Sequence, residues 1–201
     1  MIKNIVFDMG NVLVDFCWEE DFHNKGLFGE TFERVADATT RNEDWDEFDL
    51  ANLTHEEIIE KFIENDPEMA EEIRLATSTI KGMIRKRDYA EDIIIRAKKA
   101  GYKVLLLSNF SPQALNEAAS ELTYIPLADG YIFSCDYHVV KPSKEIYNLL
   151  LEKYDIKAEE TVFFDDSEKN IKGAIACGIN GIVFKNLNDA MKQLKDLGVE
   201  F

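Results

Sequence analysis

The chain has 201 residues, of which 46% are hydrophobic and 11% aromatic, so it can bury a core, and its length suits one domain or one domain with an insertion. The formal net charge is −16 at pH 7, and residues 18–72 carry 19 acidic but only four basic side chains, which disfavours nucleic acid or an anionic membrane surface as a partner. No apolar run approaches the ~20 residues that span a bilayer, and three widely spaced cysteines predict neither a disulfide framework nor a zinc site, so we expect a cytoplasmic protein.

The first predicted element is a buried strand over residues 2–7, a short β-branched and apolar run that ends at Asp8. The segment that follows contains no strand-like run. Charged residues dominate it, and its apolar residues recur at helical spacing. Thr54 followed by Glu57 predicts a capping box at the start of one of its helices. We therefore predict an inserted, all-helical unit at residues 17–84.

From residue 88 onwards, predicted strands and helices alternate. The predicted helices cover residues 88–100, a segment starting at Ser111 or Pro112, and residues 143–154, 167–177 and 188–198, with Ser167 capping the fourth. The predicted strands cover residues 104–107, 131–133, 161–164 and 181–184. Strands separated by helices imply a parallel sheet with right-handed crossovers. The expected fold is α/β: a Rossmann-like, three-layer core formed by residues 1–16 and 85–201, with the helical insertion between them.

Three of the predicted strands end in polar side chains: Asp8, Ser108–Asn109 and Asp165–Asp166. Ligands of parallel α/β sheets bind outside the carboxyl ends of the strands, so we expect these groups to converge there. Carboxylates on neighbouring strand ends repel one another unless a cation lies between them. A site that offers oxygen ligands but no histidine or cysteine favours Mg²⁺. Water and substrate phosphate would complete the coordination shell of the ion.

Four segments, IVFDMGNVLVD, LLLSNFS, VVKPSKEIY and VFFDDSEKN, resemble in order and spacing the four motifs of the haloacid dehalogenase superfamily. The resemblance covers the whole chain, and the helical insertion sits where the type-1 cap domain of that family sits. The DxGNV form of the first motif and the FFDD form of the fourth are most similar to the bacterial glucose-1-phosphate phosphatase branch. The chain also resembles, more distantly, the phosphatase domain of soluble epoxide hydrolase. The resemblance implies a magnesium-dependent phosphatase of small phosphorylated metabolites.

The same resemblance implies catalytic roles for four residues. Asp8 would be the nucleophile that accepts the phosphoryl group and becomes an aspartyl-phosphate. Ser108 and Asn109 would hydrogen-bond the oxygens of that group. Lys141 would neutralise charge on the nucleophile and on the phosphoryl group. Water would then hydrolyse the aspartyl-phosphate.

The resemblance also implies a magnesium site. Its ligands would be the Asp8 carboxylate, the backbone carbonyl of Gly10 and the Asp166 carboxylate. Asp165 and Asn170 would lie behind these ligands or bind the metal through water.

Gly10 departs from the pattern of most phosphatases of this superfamily, which carry an aspartate there as general acid and base. Such a group is typically worth about 10²- to 10⁴-fold in rate. Its loss matters least when the leaving group departs easily, as the anomeric oxygen of a sugar 1-phosphate does. We therefore expect a preference for sugar phosphates such as hexose 1-phosphates. Asp15 and His23 are candidates for the missing acid.

The helical insertion offers candidate substrate contacts. Trp18 opens the linker from the first motif and is the best candidate to line the mouth of the site. His23 or Asp49 could bind sugar hydroxyls. Aromatic residues of the insertion such as Trp45 and Phe48 more often belong to the hydrophobic core than contact substrate. Other activities of the superfamily, such as a mutase or a phosphonatase, remain open, as does a binding or regulatory protein with little turnover. The oligomeric state is also open.

Overall fold

The computed structural model describes residues 1–201 and contains a parallel sheet with helices on both faces. The strands are β1 (Asn4–Phe7), β2 (Val14–Phe16), β3 (Ile84–Lys86), β4 (Lys103–Ser108), β5 (Gly130–Phe133), β6 (Thr161–Asp165) and β7 (Asn180–Val183). Five of them form the central sheet in the order β5-β4-β1-β6-β7, and all neighbours are parallel. The predicted α/β fold is confirmed.

The helices fall into two groups. Those between β2 and β3 are α1 (Trp18–Asn24), α2 (Gly29–Ala38), α3 (Trp45–Leu50), α4 (His55–Asn65) and α5 (Ala70–Thr77). Those that follow β3 are α6 (Ala90–Lys99), α7 (Pro112–Glu117), α8 (Ser134–Tyr137), α9 (Lys144–Lys153), α10 (Glu168–Ala176) and α11 (Leu187–Asp196). No helix is both long enough and apolar enough to cross a membrane.

The alternation of side chains along the strands creates three layers. Ile5 and Phe7 of β1 belong to one buried cluster together with residues of α6 and α11. Val6, between them, belongs to a second cluster with residues of α9 and α10. Successive side chains of a strand point to opposite faces, so a fully apolar strand requires a helical layer on each side.

The helices between β2 and β3 form what we call the helical segment (residues 18–83). Its buried aromatic residues, among them Phe22 and Phe62, are part of the same cluster as Phe7 of the central sheet. The predicted capping box of α4 is present, because the Glu57 amide donates to Thr54 Oγ1 (3.3 Å) and the Thr54 amide donates to Glu57 Oε2 (2.8 Å). The helical segment therefore packs against the core.

A small antiparallel sheet at the base of the helical segment was not expected from the sequence. β2 pairs with β3, and Val14 lies opposite Lys86. The expected boundary between residues 84 and 85 therefore falls inside β3. Strands of three residues are too short to produce a readable alternation of apolar and polar side chains.

Two helix starts also differ from expectation. The side chain of Asn186, rather than Asn188, caps α11 by accepting from the Asp189 amide (3.0 Å). Ser167 precedes α10 but makes no capping hydrogen bond with its side chain. Its amide instead donates to Asp165 Oδ1 (2.8 Å), because the carboxylate at the end of β6 turns toward the helix start.

Candidate active site

The carboxyl ends of three adjacent strands meet at one edge of the sheet. β1 lies between β4 and β6, and its last residue, Phe7, is in register with Leu106 and Phe164. Asp8, Ser108 and the residue pair that ends β6 consequently lie side by side. Asp8 and Ser108 are buried, with exposed fractions of 6% and 1%.

Lys141 connects the carboxylates of two of these strand ends. Its Nζ lies 2.7 Å from Asp8 Oδ1 and 2.6 Å from Asp165 Oδ2, and it also donates to the Leu107 carbonyl (3.2 Å). Burial lowers the pKa of Lys141, but the two carboxylates more than offset this and hold the pKa above its usual value. A buried charge is costly unless it is paired, and this one ammonium group serves two partners.

Asp8 is held through one of its two carboxylate oxygens. Oδ1 accepts from Ser108 Oγ (2.7 Å) as well as from Lys141, whereas Oδ2 accepts no hydrogen bond from the protein. Burial raises the pKa of Asp8 to about 7, against the opposing effect of Lys141, and the charge of Asp165 raises it further. The arrangement orients the carboxylate and leaves one oxygen unengaged.

The Asn109 side chain holds the backbone of Lys141. Asn109 Oδ1 accepts from the Lys141 amide (2.8 Å), and Asn109 Nδ2 donates to the Lys141 carbonyl (3.2 Å). Its amide group was expected to bind phosphoryl oxygens. In the structure both of its polar atoms are engaged with residue 141, so the side chain positions the loop that carries the lysine.

Asp165 lies at the end of β6 and is completely buried. Oδ1 accepts from the Ser167 amide (2.8 Å) and from Asn170 Nδ2 (3.0 Å), and Oδ2 accepts from Lys141. With this many donors the carboxylate acts as an anchor for Lys141 and for the start of α10. Asn170 thus contacts Asp165, as expected for a residue behind the site.

Asp166, the next residue, is exposed and turns toward the first motif. Its Oδ2 accepts from Asn11 Nδ2 (2.9 Å), and Asn11 Oδ1 accepts from the Phe16 amide (3.2 Å). Asn11 was not among the residues expected at the site. Its backbone has a φ of 52°, a left-handed conformation that asparagine tolerates better than most residues.

The carboxylates of the site form a cluster of the type that binds a divalent cation. One oxygen from each of Asp8, Asp165 and Asp166 lies within 4.8 Å of the others. Lys141 engages Asp165 on its buried side, whereas the exposed Asp166 has no cationic partner in the protein. Such oxygen donors suit Mg²⁺, so the residues fit the ion that the sequence implies.

A cavity of about 170 Å³ opens above the strand ends, between the central sheet and the helical segment. Nine of its sixteen lining residues are hydrophobic. The lining consists of Asp8, Gly10, Asn11, Val14, Phe16, Trp45, Phe48, Asp49, Ile80, Met83, Ile84, Asn109, Phe110, Ser111, Ala114 and Asp166. The cavity therefore joins a charged floor to walls that are largely apolar.

Two residues expected to contact substrate do not line this cavity. Trp18 stacks on Phe32 with a ring-centroid distance of 5.7 Å, and His23 stacks on Phe28 (5.2 Å) and Phe32 (4.8 Å). The expectation for Trp18 and His23 is corrected accordingly, because aromatic packing within the helical segment takes up their ring faces.

The candidates for the missing acid are also placed by the structure. Asp15 Oδ1 accepts from Arg87 Nε (2.7 Å), and neither Asp15 nor His23 lines the cavity. Asp49 does line it. At Gly10, a Cβ atom would meet no other atom within 4 Å, so position 10 leaves open space beside Asp8.

Comparison with known proteins identifies the class of this fold and site. A model of the haloacid dehalogenase-like hydrolase family matches residues 2–178, and the chain belongs to that family. It is 24% identical over 197 residues to a sesquiterpene phosphatase of Aspergillus oryzae, covering 97% of this chain and 94% of that protein. It is 27% identical over 195 residues to D-ribitol-5-phosphate phosphatase of Bacteroides thetaiotaomicron, covering 85% and 86%. These relatives support a phosphatase hydrolase.

A solved structure shares the fold. A haloacid dehalogenase family enzyme from Bacteroides thetaiotaomicron, in complex with magnesium and inorganic phosphate, superposes with a TM-score of 0.67. The sequences are 23% identical, and the match covers 92% of this chain and 95% of that one.

Proposed function

We propose that this hydrolase is a magnesium-dependent phosphatase that acts on small phosphorylated metabolites through an aspartyl-phosphate on Asp8. The observation that carries the proposal is the way Asp8 is held. Ser108 and Lys141 hold Oδ1 at 2.7 Å each, while Oδ2 faces no donor of the protein. A carboxylate fixed in this way has one oxygen available to attack phosphorus.

The chemistry needs positive charge around the transferring group, because its negative charge is spread over three oxygens. Lys141 supplies one cation. The carboxylates of Asp8 and Asp166, with the backbone carbonyl of Gly10, would hold Mg²⁺, which when bound neutralises charge on the nucleophile and the phosphoryl oxygens. The Mg²⁺- and phosphate-bound enzyme of similar fold supports this assignment.

The residues would act in two half-reactions. Asp8 Oδ2 attacks phosphorus, and the ester oxygen leaves with its bonding electrons. Ser108 and Lys141 keep the carboxylate in line during this step. Water then attacks the phosphorus of the aspartyl-phosphate, which releases phosphate and restores the Asp8 carboxylate.

We further propose that residues 17–84 serve as a type-1 cap. Trp45, Phe48 and Asp49 of α3 already line the cavity from this side. Closure of a cap excludes water during phosphoryl transfer and lets its side chains select the leaving group. We also propose a reducing, cytoplasmic setting, in which the three free cysteines remain thiols.

For the substrate, we propose sugar phosphates such as hexose 1-phosphates, in line with the glucose-1-phosphate phosphatase branch that the motifs resemble. With glycine at position 10, the strand end provides no acid to protonate a poor leaving group. An anomeric oxygen carries negative charge better than an ordinary alcohol oxygen, so its departure needs less help.

A second substrate class is favoured by the walls of the cavity. Nine hydrophobic residues, including Phe16 and Phe110, surround the space above Asp8. Apolar walls would gain free energy by burying a leaving group with an apolar face, at roughly 25 cal/mol per Å². A phosphate monoester of an aryl or isoprenoid alcohol is therefore the alternative to a sugar phosphate, and one similar protein is named as a sesquiterpene phosphatase.

A panel of phosphate esters tests the proposal. Phosphate release would be measured with Mg²⁺ on hexose 1- and 6-phosphates, aryl and isoprenoid monophosphates and acetyl phosphate, with Asp8→Asn in parallel. We expect release that requires Mg²⁺ and is lost in a folded Asp8→Asn protein. If folded wild-type protein binds Mg²⁺ but releases phosphate from none of these esters, a binding or regulatory role replaces the phosphatase.

A further inference from the structure

On the strand side of the cavity, the carboxyl group beside Asp8 is that of Asp166, which the proposed function assigns to the metal. Gly10 leaves open space where a side chain would stand, and Asp15 is paired with Arg87 outside the cavity. With Asp166 assigned to the metal, a side chain that gives a proton to the leaving group is expected on the opposite wall.

Asp49 is the carboxyl group on that opposite wall. It lies on α3 and lines the same cavity as Asp8 and Gly10. Its side chain makes no hydrogen bond and no ion pair with the protein, whereas Asp8 and Asp165 are each held by several donors. Asp49 is half-buried, and a carboxyl group that lines the cavity without a partner in the protein is available to hydrogen-bond a ligand that enters there.

The end of α3 is hydrogen-bonded to residues of the core. Ser134 Oγ donates to the Asp49 carbonyl (2.7 Å), and His138 Nδ1 donates to the Leu50 carbonyl (2.9 Å). Phe48 is buried, with 5% of its surface exposed. These contacts hold Asp49 at a defined place above the strand ends, which a group that transfers protons requires.

The surroundings of Asp49 favour its protonated form. Desolvation raises its pKa to about 8, and the negative charges of Asp46 and Asp8 act in the same direction, while Lys141 acts against them. Burial raises the pKa of the Cys135 thiol on α8 to about 11, and the charges of Asp136 and Asp49 act in the same direction. A carboxyl that keeps its proton near neutral pH can donate it.

On this geometry, and given the proposed phosphatase function, we infer that Asp49 is the general acid and base of the site, supplied by the helical segment in place of a side chain at position 10. In the first half-reaction Asp8 bonds to phosphorus, the bond from phosphorus to the ester oxygen breaks, and the Asp49 proton moves to that oxygen. In the second, Asp49 takes a proton from the water that attacks phosphorus, and the bond from phosphorus to Asp8 breaks. Phosphate, the Asp8 carboxylate and protonated Asp49 result.

The test compares leaving groups in Asp49→Asn. A hexose 6-phosphate leaves as an alcohol and needs a proton, whereas acetyl phosphate leaves as a stable carboxylate and does not. We expect kcat/KM for the 6-phosphate to fall about 100-fold or more, the usual range for a lost general acid, and kcat/KM for acetyl phosphate to change less than about threefold. The loss for a hexose 1-phosphate should lie between these values.

Two further variants make the result specific. Glu47→Gln removes a charge from the same helix at a residue that does not line the cavity, and it should leave every kcat/KM unchanged. Adding Gly10→Asp to Asp49→Asn should raise kcat/KM for the 6-phosphate at least about tenfold above that of Asp49→Asn alone. The new carboxyl group can be accommodated because a side chain at position 10 meets no neighbour.

The pH profile gives an independent readout. The wild-type kcat/KM for the 6-phosphate should decline at high pH as Asp49 loses its proton, and Asp49→Asn should lack that decline. Equal losses for all esters, no loss, an unchanged pH profile or no recovery with Gly10→Asp would each overturn the role of Asp49. Failure of the wild type on every ester, acetyl phosphate included, would instead overturn the proposed phosphatase.

Discussion

Lys141→Met tests the electrostatic design of the site. The ammonium group lies 2.7 Å from Asp8 and 2.6 Å from Asp165, and its side chain is 1% exposed. Methionine keeps most of the volume of the side chain but removes the only cation between two buried carboxylates. The variant therefore isolates charge from packing.

Removing one partner of a buried ion pair typically costs about 3–5 kcal/mol, because the remaining charge stays desolvated and unpaired. We expect a loss of that size in the free energy of unfolding at pH 8. Burial already holds the folded-state pKa of Asp8 near 7, above its unfolded value, and loss of Lys141 raises it further. A raised folded-state pKa contributes stability at low pH that disappears as pH rises through that pKa, so the loss should be smaller at pH 6.

Urea unfolding at pH 6 and pH 8, with chelator present, measures both quantities. Lys172→Met is the matched control, since its ammonium group pairs with Glu168 at 2.9 Å but both side chains are more than 70% exposed. The control should change stability by less than about 0.5 kcal/mol. The reasoning is refuted if Lys141→Met costs no more than Lys172→Met, or if its cost does not grow with pH.

Other variants address single contacts. Ser108→Ala removes a donor to the Asp8 carboxylate, a bond worth about 1.5–3 kcal/mol, so kcat/KM should fall about 10- to 100-fold; a change below twofold would contradict the contact. Asp166→Asn should raise the Mg²⁺ concentration for half-maximal activity at least about tenfold, while the free energy of unfolding in urea without metal stays the same. An unchanged Mg²⁺ requirement would remove Asp166 from the metal site. Thr54→Ala breaks the capping box with Glu57 and should cost about 1 kcal/mol in urea unfolding without changing kcat, whereas unchanged stability would show that the cap contributes nothing.

The convergence of the site could be predicted because it follows from strand order. Buried parallel strands are readable as apolar runs, and a polar residue directly after such a run lies at the carboxyl edge of the sheet. Asp8, Ser108 and Asp165 were found together for this reason. The position of Lys141 between Asp8 and Asp165 could not be predicted in the same way. It depends on the path of the loop before α9, and the spacing of apolar residues does not encode that path.

The contacts of the helical segment were less predictable. Trp18 was expected to line the mouth of the site and His23 to contact substrate. Helical spacing, however, gives the face on which a side chain lies, not the neighbour that faces it. Their rings pack on Phe32. Asn11 was missed although the motif contains it, and its signal was its position beside Gly10, where an asparagine can take up a left-handed turn.

Trapping of the phosphorylated enzyme tests the central claim most directly. Wild-type protein would be mixed with Mg²⁺ and its best ester from the panel, quenched, reduced with borohydride, which converts an aspartyl-phosphate to homoserine, and digested for mass spectrometry. We expect homoserine at position 8 only when substrate was present. Turnover of the ester without modification at Asp8, or with modification at another carboxylate, would contradict the account.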